Sequence, residues 1–243
     1  MTRPPARLSR LGLRLLLAGL LLLVPLGLGA CASDQSRKPL GCATAASPCL
    51  SGSAVVELET SRGVVQMTLD GAAAPLTAGN FVDLVNRGVY NGTVFHRVVR
   101  EPVPFVVQGG DPTSADPRTP VGQYGTGNFI DPTTGEARLI PLEIKRRDQP
   151  EPQYGEAQTS PVVTRQLALV HERGAVAMAR SEDPNSASAQ FYVALEALPE
   201  LDGRYAVFGR VTRGMEVIDA IQQGDVIEKA RVIDGGTLVK KKP

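Results

Sequence analysis

"VFHRVVREPVPFVVQGGD", residues 94–111, decides the reading of this chain. Two runs rich in Val and Phe flank the Pro-containing "REPVP", which predicts two short strands around a turn. His96 and Arg97 sit in the first run, and Gln108 sits in the second. Polar side chains in strand-like apolar sequence need partners, because an unpaired polar group costs kilocalories when buried. Taken alone, His96 is a buried imidazole hydrogen-bonded to backbone rather than a general base, since no nucleophile stands near it in sequence.

Outward from that stretch, "AVVELETSRGVVQMTLD" (54–70) alternates on both sides of Ser61-Arg62-Gly63 and predicts a hairpin. "PLTAGNFVDLVNRGVY" (75–90) places Phe81, Leu84 and Val85 at helical spacing, with Gly88 as the C-terminal cap. Residues 111–165 are dense in Pro, Gly, Thr and charge and read as long surface loops, with "RLIPLEIK" (138–145) as their strand-like portion. Short β-type runs resume at "RGAVAMARS", "AQFYVAL" and "RYAVFGRV". "GMEVIDAIQQGD" (214–225) predicts a second helix with Val217, Ile218 and Ile221 on one face and Gly224 capping it. "ARVIDGGTLV" closes the domain with further strand. Many short strands and two helices point to an antiparallel barrel or sandwich.

The chain has 243 residues and a formal net charge of +1, which gives no electrostatic reason to expect nucleic acid. The first thirty residues hold Arg3, Arg7, Arg10 and Arg14 and no acid, so the remainder is net negative. A basic start followed by the apolar "LGLRLLLAGLLLLVPLGLGAC" (11–31) has the form of a secretory signal; its core, broken by Gly and Pro25, is shorter than the about 20 clean apolar residues a membrane span wants. It ends in Leu28-Gly29-Ala30-Cys31, which resembles a bacterial lipobox and makes Cys31 the expected lipidation site. The expected organisation is a signal over 1–30, a flexible tether over 31–53 and one folded domain over 54–243. The expected location is the cell envelope, with the lipid anchor in the membrane and the domain in the periplasm or extracytoplasmic space. A secreted soluble protein is the alternative. Cys42 and Cys49 are left open between a small disulfide loop and free thiols.

No Walker, Rossmann or G-x-S-x-G pattern stands in its required context, and two histidines, His96 and His171, are too few for a Cys/His metal cluster. "FHRV" (95–98), "FVVQGGD" (105–111), "GTG" (125–127), "GAVAMAR" (174–180), "NSASAQFYV" (185–193) and "LDGRYAVFGRV" (201–211) together resemble the cyclophilin-type peptidyl-prolyl isomerases in order and spacing, over roughly residues 54–239. The resemblance implies a closed eight-stranded antiparallel β-barrel capped by two α-helices, with the active groove on its outer face. It implies proline-containing polypeptides as partners and needs no cofactor or metal. A monomer is expected.

The resemblance makes Arg97 the catalytic donor, Gln108 its companion and Phe105 the neighbouring wall. Val106, Tyr192 and Leu201 match the slot for the proline ring, and Ala179 and Gln190 match groove positions that meet the substrate chain. Three residues depart from the family pattern. Arg180 stands where many members carry Asn, Tyr205 replaces a groove His, and Glu200 replaces the Trp that supports cyclosporin binding in animal members. Weak cyclosporin affinity is therefore expected, because a carboxylate lacks the apolar face and N–H of an indole. These departures and the long 131–172 stretch also fit a binding module of the same fold with little turnover.

Overall fold

The computed structural model describes residues 41–240. The signal segment, Cys31 and the first part of the expected tether lie outside the described residues. The first half contains β1 (Cys49–Leu50), β2 (Ser53–Thr60), β3 (Gly63–Asp70), α1 (Pro75–Asn86), β4 (Arg97–Val99) and β5 (Val106–Gly109). Then come β6 (Glu143–Ile144), β7 (Gln153–Tyr154), α2 (Pro161–Thr164), β8 (Ala175–Met178) and β9 (Phe191–Ala194). β10 (Val207–Arg213), α3 (Met215–Ala220), β11 (Ile227–Gly235) and β12 (Leu238–Val239) complete the described chain.

Eight strands form one antiparallel sheet in the order β11-β2-β3-β10-β8-β9-β5-β4. The predicted hairpin is β2–β3, with Thr60 opposite Gly63 and Ser61-Arg62 as its two-residue loop. The predicted pair around "REPVP" is β4–β5. The edge strands β4 and β11 share no ladder. The segments just before them meet in a single bridge between Val94 and Val226, so the barrel expected to be closed is a sheet curled until its edges touch there.

Period-2 alternation sorts the side chains. Val107, Val176, Met178, Phe191 and Val193 face the main core, which Phe81, Leu84 and Val85 of α1 enter from one end. Phe81 stacks near Tyr90, Phe191 and Phe208 with ring centroids 4.7–5.2 Å apart. Val106, Ala175, Ala177, Tyr192 and Ala194, from the same strands, form a second cluster on the opposite face, with Leu198 and Val207. That outer cluster is the floor on which the candidate site is built.

Three expectations need correction. First, order begins before position 54: β1 pairs with β12, and Leu50 is buried. Cys42 and Cys49 are joined in a disulfide. The segment lies so close to α1 that a Cβ on Gly79 would sit 2.3 Å from the Pro48 carbonyl oxygen. Second, the described residues hold three α-helices where two are expected, because α2 adds a single turn in the long loop. Third, the last helix is shorter than its pattern: it stops at Ala220, with Ile221 as C-cap, and Gly224 (φ +96°) lies beyond it. α1 ends as expected, with Gly88 at φ +71° and the Gly88 N–H donating to Val85 O.

The loop from 111 to 172 is tied to the domain by a carboxylate. The α1 N-cap, Ala74, has no side-chain oxygen to offer. Glu143 of β6 instead accepts from Leu76 N (3.1 Å) and Thr77 N (2.7 Å), satisfying two of the free amides at the helix start. Its burial raises its pKa, against the lowering effect of those bonds. Most of "RLIPLEIK" is not strand; Glu143–Ile144 alone is assigned to one, paired with β7.

Candidate active site

Arg97 and Gln108 are direct partners across the β4–β5 ladder, and both project to the outer face. Arg97 Nη1 donates to Gln108 Oε1 at 3.4 Å, and its guanidinium lies 5.8 Å from the Phe105 ring centre. Gln108 Nε2 donates in turn to Gln190 Oε1 (3.2 Å). Gln190 Nε2 then donates to the carbonyls of Gly125 (3.0 Å) and Gly127 (2.9 Å). A directional chain thus runs from an always-charged donor to the backbone of the "GTG" loop.

That loop is fixed from below by Asp111, which is fully buried. Asp111 Oδ2 accepts from Gly125 N (2.6 Å) and Gly127 N (3.1 Å), while Oδ1 accepts from Thr113 N and Oγ1. A Cβ on Gly127 would fall 2.1 Å from Asp111 Oδ1, so the close approach requires glycine. Asp111 carries no site role in the sequence reading, although the "GGD" and "GTG" motifs that meet here were both visible.

A cavity of about 210 Å³ opens between these elements, lined by Arg97, Phe105, Val106, Gln108, Ala179, Arg180, Tyr192, Leu201 and Tyr205. All the expected site residues of the domain line it except Gln190. Gln190 instead lines a neighbouring cavity of about 320 Å³ with Gly125, Thr126, Asn128 and three serines. The two cavities share Gln108, Ala179 and Arg180. Arg180 does not reach freely into either. Its Nε and Nη2 donate to Arg204 O (3.0 and 2.7 Å), Nη1 donates to Ser181 O and Glu182 O, and the guanidinium sits 4.7 Å from the Tyr205 ring centre.

His96 departs from expectation. Neither ring nitrogen completes a hydrogen bond, and the ring packs where a Gly125 Cβ would touch it at 3.1 Å. Burial lowers its pKa, countered in part by the charge of Asp111. His171, given no role by sequence, lies directly behind the cavity: Nδ1 is 2.8 Å from Asp202 Oδ1 and Nε2 is 2.9 Å from the Tyr192 hydroxyl.

A charged, multi-donor group beside an apolar slot is suited to holding a peptide and donating to one of its polar atoms. Residues 55–241 match the family model described as cyclophilin type peptidyl-prolyl cis-trans isomerase. The chain belongs to that family. A Synechocystis sp. protein named as a thylakoid lumen peptidyl-prolyl cis-trans isomerase is 40% identical over 198 residues, covering 77% of this chain and 49% of the relative. The chloroplastic peptidyl-prolyl cis-trans isomerase CYP38 of Arabidopsis thaliana is 38% identical over 71% of this chain and 38% of its own length. The chain therefore spans half or less of those two relatives. It spans 86% of a Helicobacter pylori peptidyl-prolyl cis-trans isomerase, at 33% identity. Among solved structures, a Cryptosporidium parvum cyclophilin superposes with a TM-score of 0.55 at 23% identity, covering 75% of this chain and 99% of that one. That likeness shows the mainly-β cyclophilin fold.

Proposed function

We propose that this cyclophilin is a peptidyl-prolyl cis-trans isomerase acting on X-Pro bonds of exported polypeptides. The observation that carries the reading is the Arg97–Gln108–Gln190 chain standing over a slot walled by Phe105, Val106, Tyr192 and Leu201. Amide resonance opposes rotation by ~18–20 kcal/mol, whereas the X-Pro isomers differ by only about 0.5–1 kcal/mol. The task is to lower a barrier. As the amide twists, the proline nitrogen becomes pyramidal and regains its lone pair. A donor held at that nitrogen stabilises the twisted state more than either planar ground state.

In this reading Arg97 donates, Gln108 keeps the guanidinium from following the substrate, and Phe105, Val106, Tyr192 and Leu201 hold the ring. Ala179 and Gln190 meet the flanking chain, with Arg180 and Tyr205 as the far rim. The reaction proceeds by twisting a bond, without breaking one.

Export is supported by the signal-like first thirty residues and by the Cys42–Cys49 disulfide, a bond favoured in oxidising compartments. The lumenal name of the Synechocystis relative agrees with it. Anchoring through lipidated Cys31 is proposed from the lipobox alone; mass spectrometry of the membrane fraction tests it, an acylated N-terminal Cys31 being expected. Activity is tested by NMR exchange spectroscopy on a proline peptide with catalytic amounts of the full chain. Cis-trans exchange far above the uncatalysed rate is expected. A peptide that binds without faster exchange points to the binding module instead.

A further inference from the structure

The floor of the proline slot is a tyrosine, and its hydroxyl points away from the slot into a buried hydrogen-bonded series. Tyr192 is 4% exposed, and its OH lies 2.9 Å from His171 Nε2. His171 is itself 2% exposed, and its Nδ1 lies 2.8 Å from Asp202 Oδ1. The same carboxylate oxygen accepts from the His171 backbone N–H at 2.8 Å, so one group fixes both the backbone and the ring. A slot that needs only an apolar floor has no use for a hydroxyl, yet this one is met by two residues aligned behind it. Tyr205, on the slot's rim, packs edge-on against Tyr192 with centroids 5.9 Å apart, and Arg180 covers Tyr205. A tilt of Tyr192 would therefore move the rim as well as the floor.

We propose that His171, held by Asp202, is a positioning residue that sets the Tyr192 ring as the floor of the proline slot, and that the slot is competent when the imidazole is neutral and loosens when it is protonated. The inference rests on the isomerase reading for the identity of the slot's occupant. The carboxylate at Nδ1 keeps a proton on that nitrogen, which leaves Nε2 as the acceptor for the tyrosine O–H. A second proton on the ring turns Nε2 into a donor. The phenol oxygen must then accept, and the phenol proton loses the one hydrogen-bond partner it has among the described residues, in a buried site.

The surroundings set the direction of titration. Burial lowers the His171 pKa below its ordinary value, while Asp202 and then Glu200, both on the turn at 199–202, oppose the lowering. Tyr192 faces it from β9, and Tyr205 and Arg180 reach it through Tyr192. The neutral form therefore holds at and above neutrality, and the change falls on the acid side.

The test compares wild type with Tyr192→Phe, which keeps the ring and deletes the hydroxyl, and with His171→Gln and His171→Phe. KM and kcat for a proline tetrapeptide are measured from pH 5 to 8 on the full chain. The wild-type KM is expected to rise about 3- to 10-fold toward acid, the span of one net hydrogen bond, with kcat little changed. Tyr192→Phe is expected to show a raised KM without that acid limb, and His171→Gln to recover more of the wild-type KM than His171→Phe. His96 titrates in all four proteins, so its effect is common to them. A Tyr192→Phe protein that matches wild type at every pH overturns the proposal. ¹⁵N NMR of the wild-type imidazoles adds a readout independent of turnover: the Nδ1–H tautomer of His171 is expected, and the Nε2–H tautomer overturns the proposal. Titration of the same peptide by NMR separates the two readings, since binding without exchange removes the isomerase and leaves the positioning role measurable in Kd.

Discussion

Arg97 and Gln108 face each other across the β4–β5 ladder, 11 residues apart in sequence and joined at 3.4 Å through Nη1 and Oε1. The five-residue "REPVP" connection between Val99 and Phe105 thus keeps the register that matters. Gln108 passes the constraint on to Gln190 and the glycine loop. The guanidinium is held from one side by a series of amides and flanked by Phe105 on another.

Gln108→Leu keeps the side-chain volume and removes both bonds. The Gln108–Gln190 bond is neutral, a type worth about 0.5–1.5 kcal/mol net, and the Arg97–Gln108 bond has a charged donor, a type worth about 1.5–3 kcal/mol. We expect kcat/KM to fall about 10-fold, mostly in kcat, and the thermal midpoint to fall by a few degrees. Steady-state kinetics and calorimetry on one preparation check both parts.

Gly127→Ala places a methyl 2.1 Å from Asp111 Oδ1. Overpacking of this kind costs about 1–3 kcal/mol. Because Gln190 loses a well-placed acceptor when the loop shifts, activity should fall together with stability. Urea unfolding and the exchange assay measure the two losses, and a stable, fully active variant would contradict the assigned role of the loop.

Glu143→Gln isolates a pH term. Burial raises the Glu143 pKa above its ordinary 4.5, so its stabilising contribution is full below about pH 4.5 and is lost as pH rises through the folded value. Wild type should therefore lose stability relative to Glu143→Gln as pH increases above 4.5. Denaturant midpoints of the two proteins at several pH values decide it; a difference independent of pH refutes it.

Cys42→Ser with Cys49→Ser removes a covalent loop at the β1–β12 end of the domain. For so short a loop the chain-entropy contribution is about 2–3 kcal/mol. Stability should fall by up to that amount while kcat/KM stays at the wild-type value, because neither cysteine lines the slot.

The hairpin, α1 and the β4–β5 pair were legible because each carries its own period and its own turn residues. Ten residues are expected in the groove from the family resemblance; strand alternation accounts for Arg97, Val106, Gln108 and Tyr192 sharing the outer face, while the other six lie outside the strands. Asp111, His171 and Asp202 were not legible as site residues: they act through backbone amides or through Tyr192, at separations of 14 to 31 residues that no local pattern marks. Residues 41–53 read as tether because Ser, Ala and Gly dominate there. Yet the backbone of Pro48, Cys49 and Leu50 presses against α1 at the point where Gly79 has no side chain. The closed barrel was expected from the family, and here the sheet edges meet at one bridge, Val94 with Val226.

The central claim is that Arg97 lowers the rotation barrier by donating to the twisting amide. The most direct measurement is the cis-trans exchange rate of a proline peptide with wild type, Arg97→Lys and Arg97→Ala, each verified as folded by circular dichroism. Removing a donor aimed at the transition state costs about 10²–10³-fold in rate, so Arg97→Ala should lose that much. Arg97→Lys should recover only part, since an ammonium lacks the planar fork. An Arg97→Ala protein as fast as wild type would contradict the account.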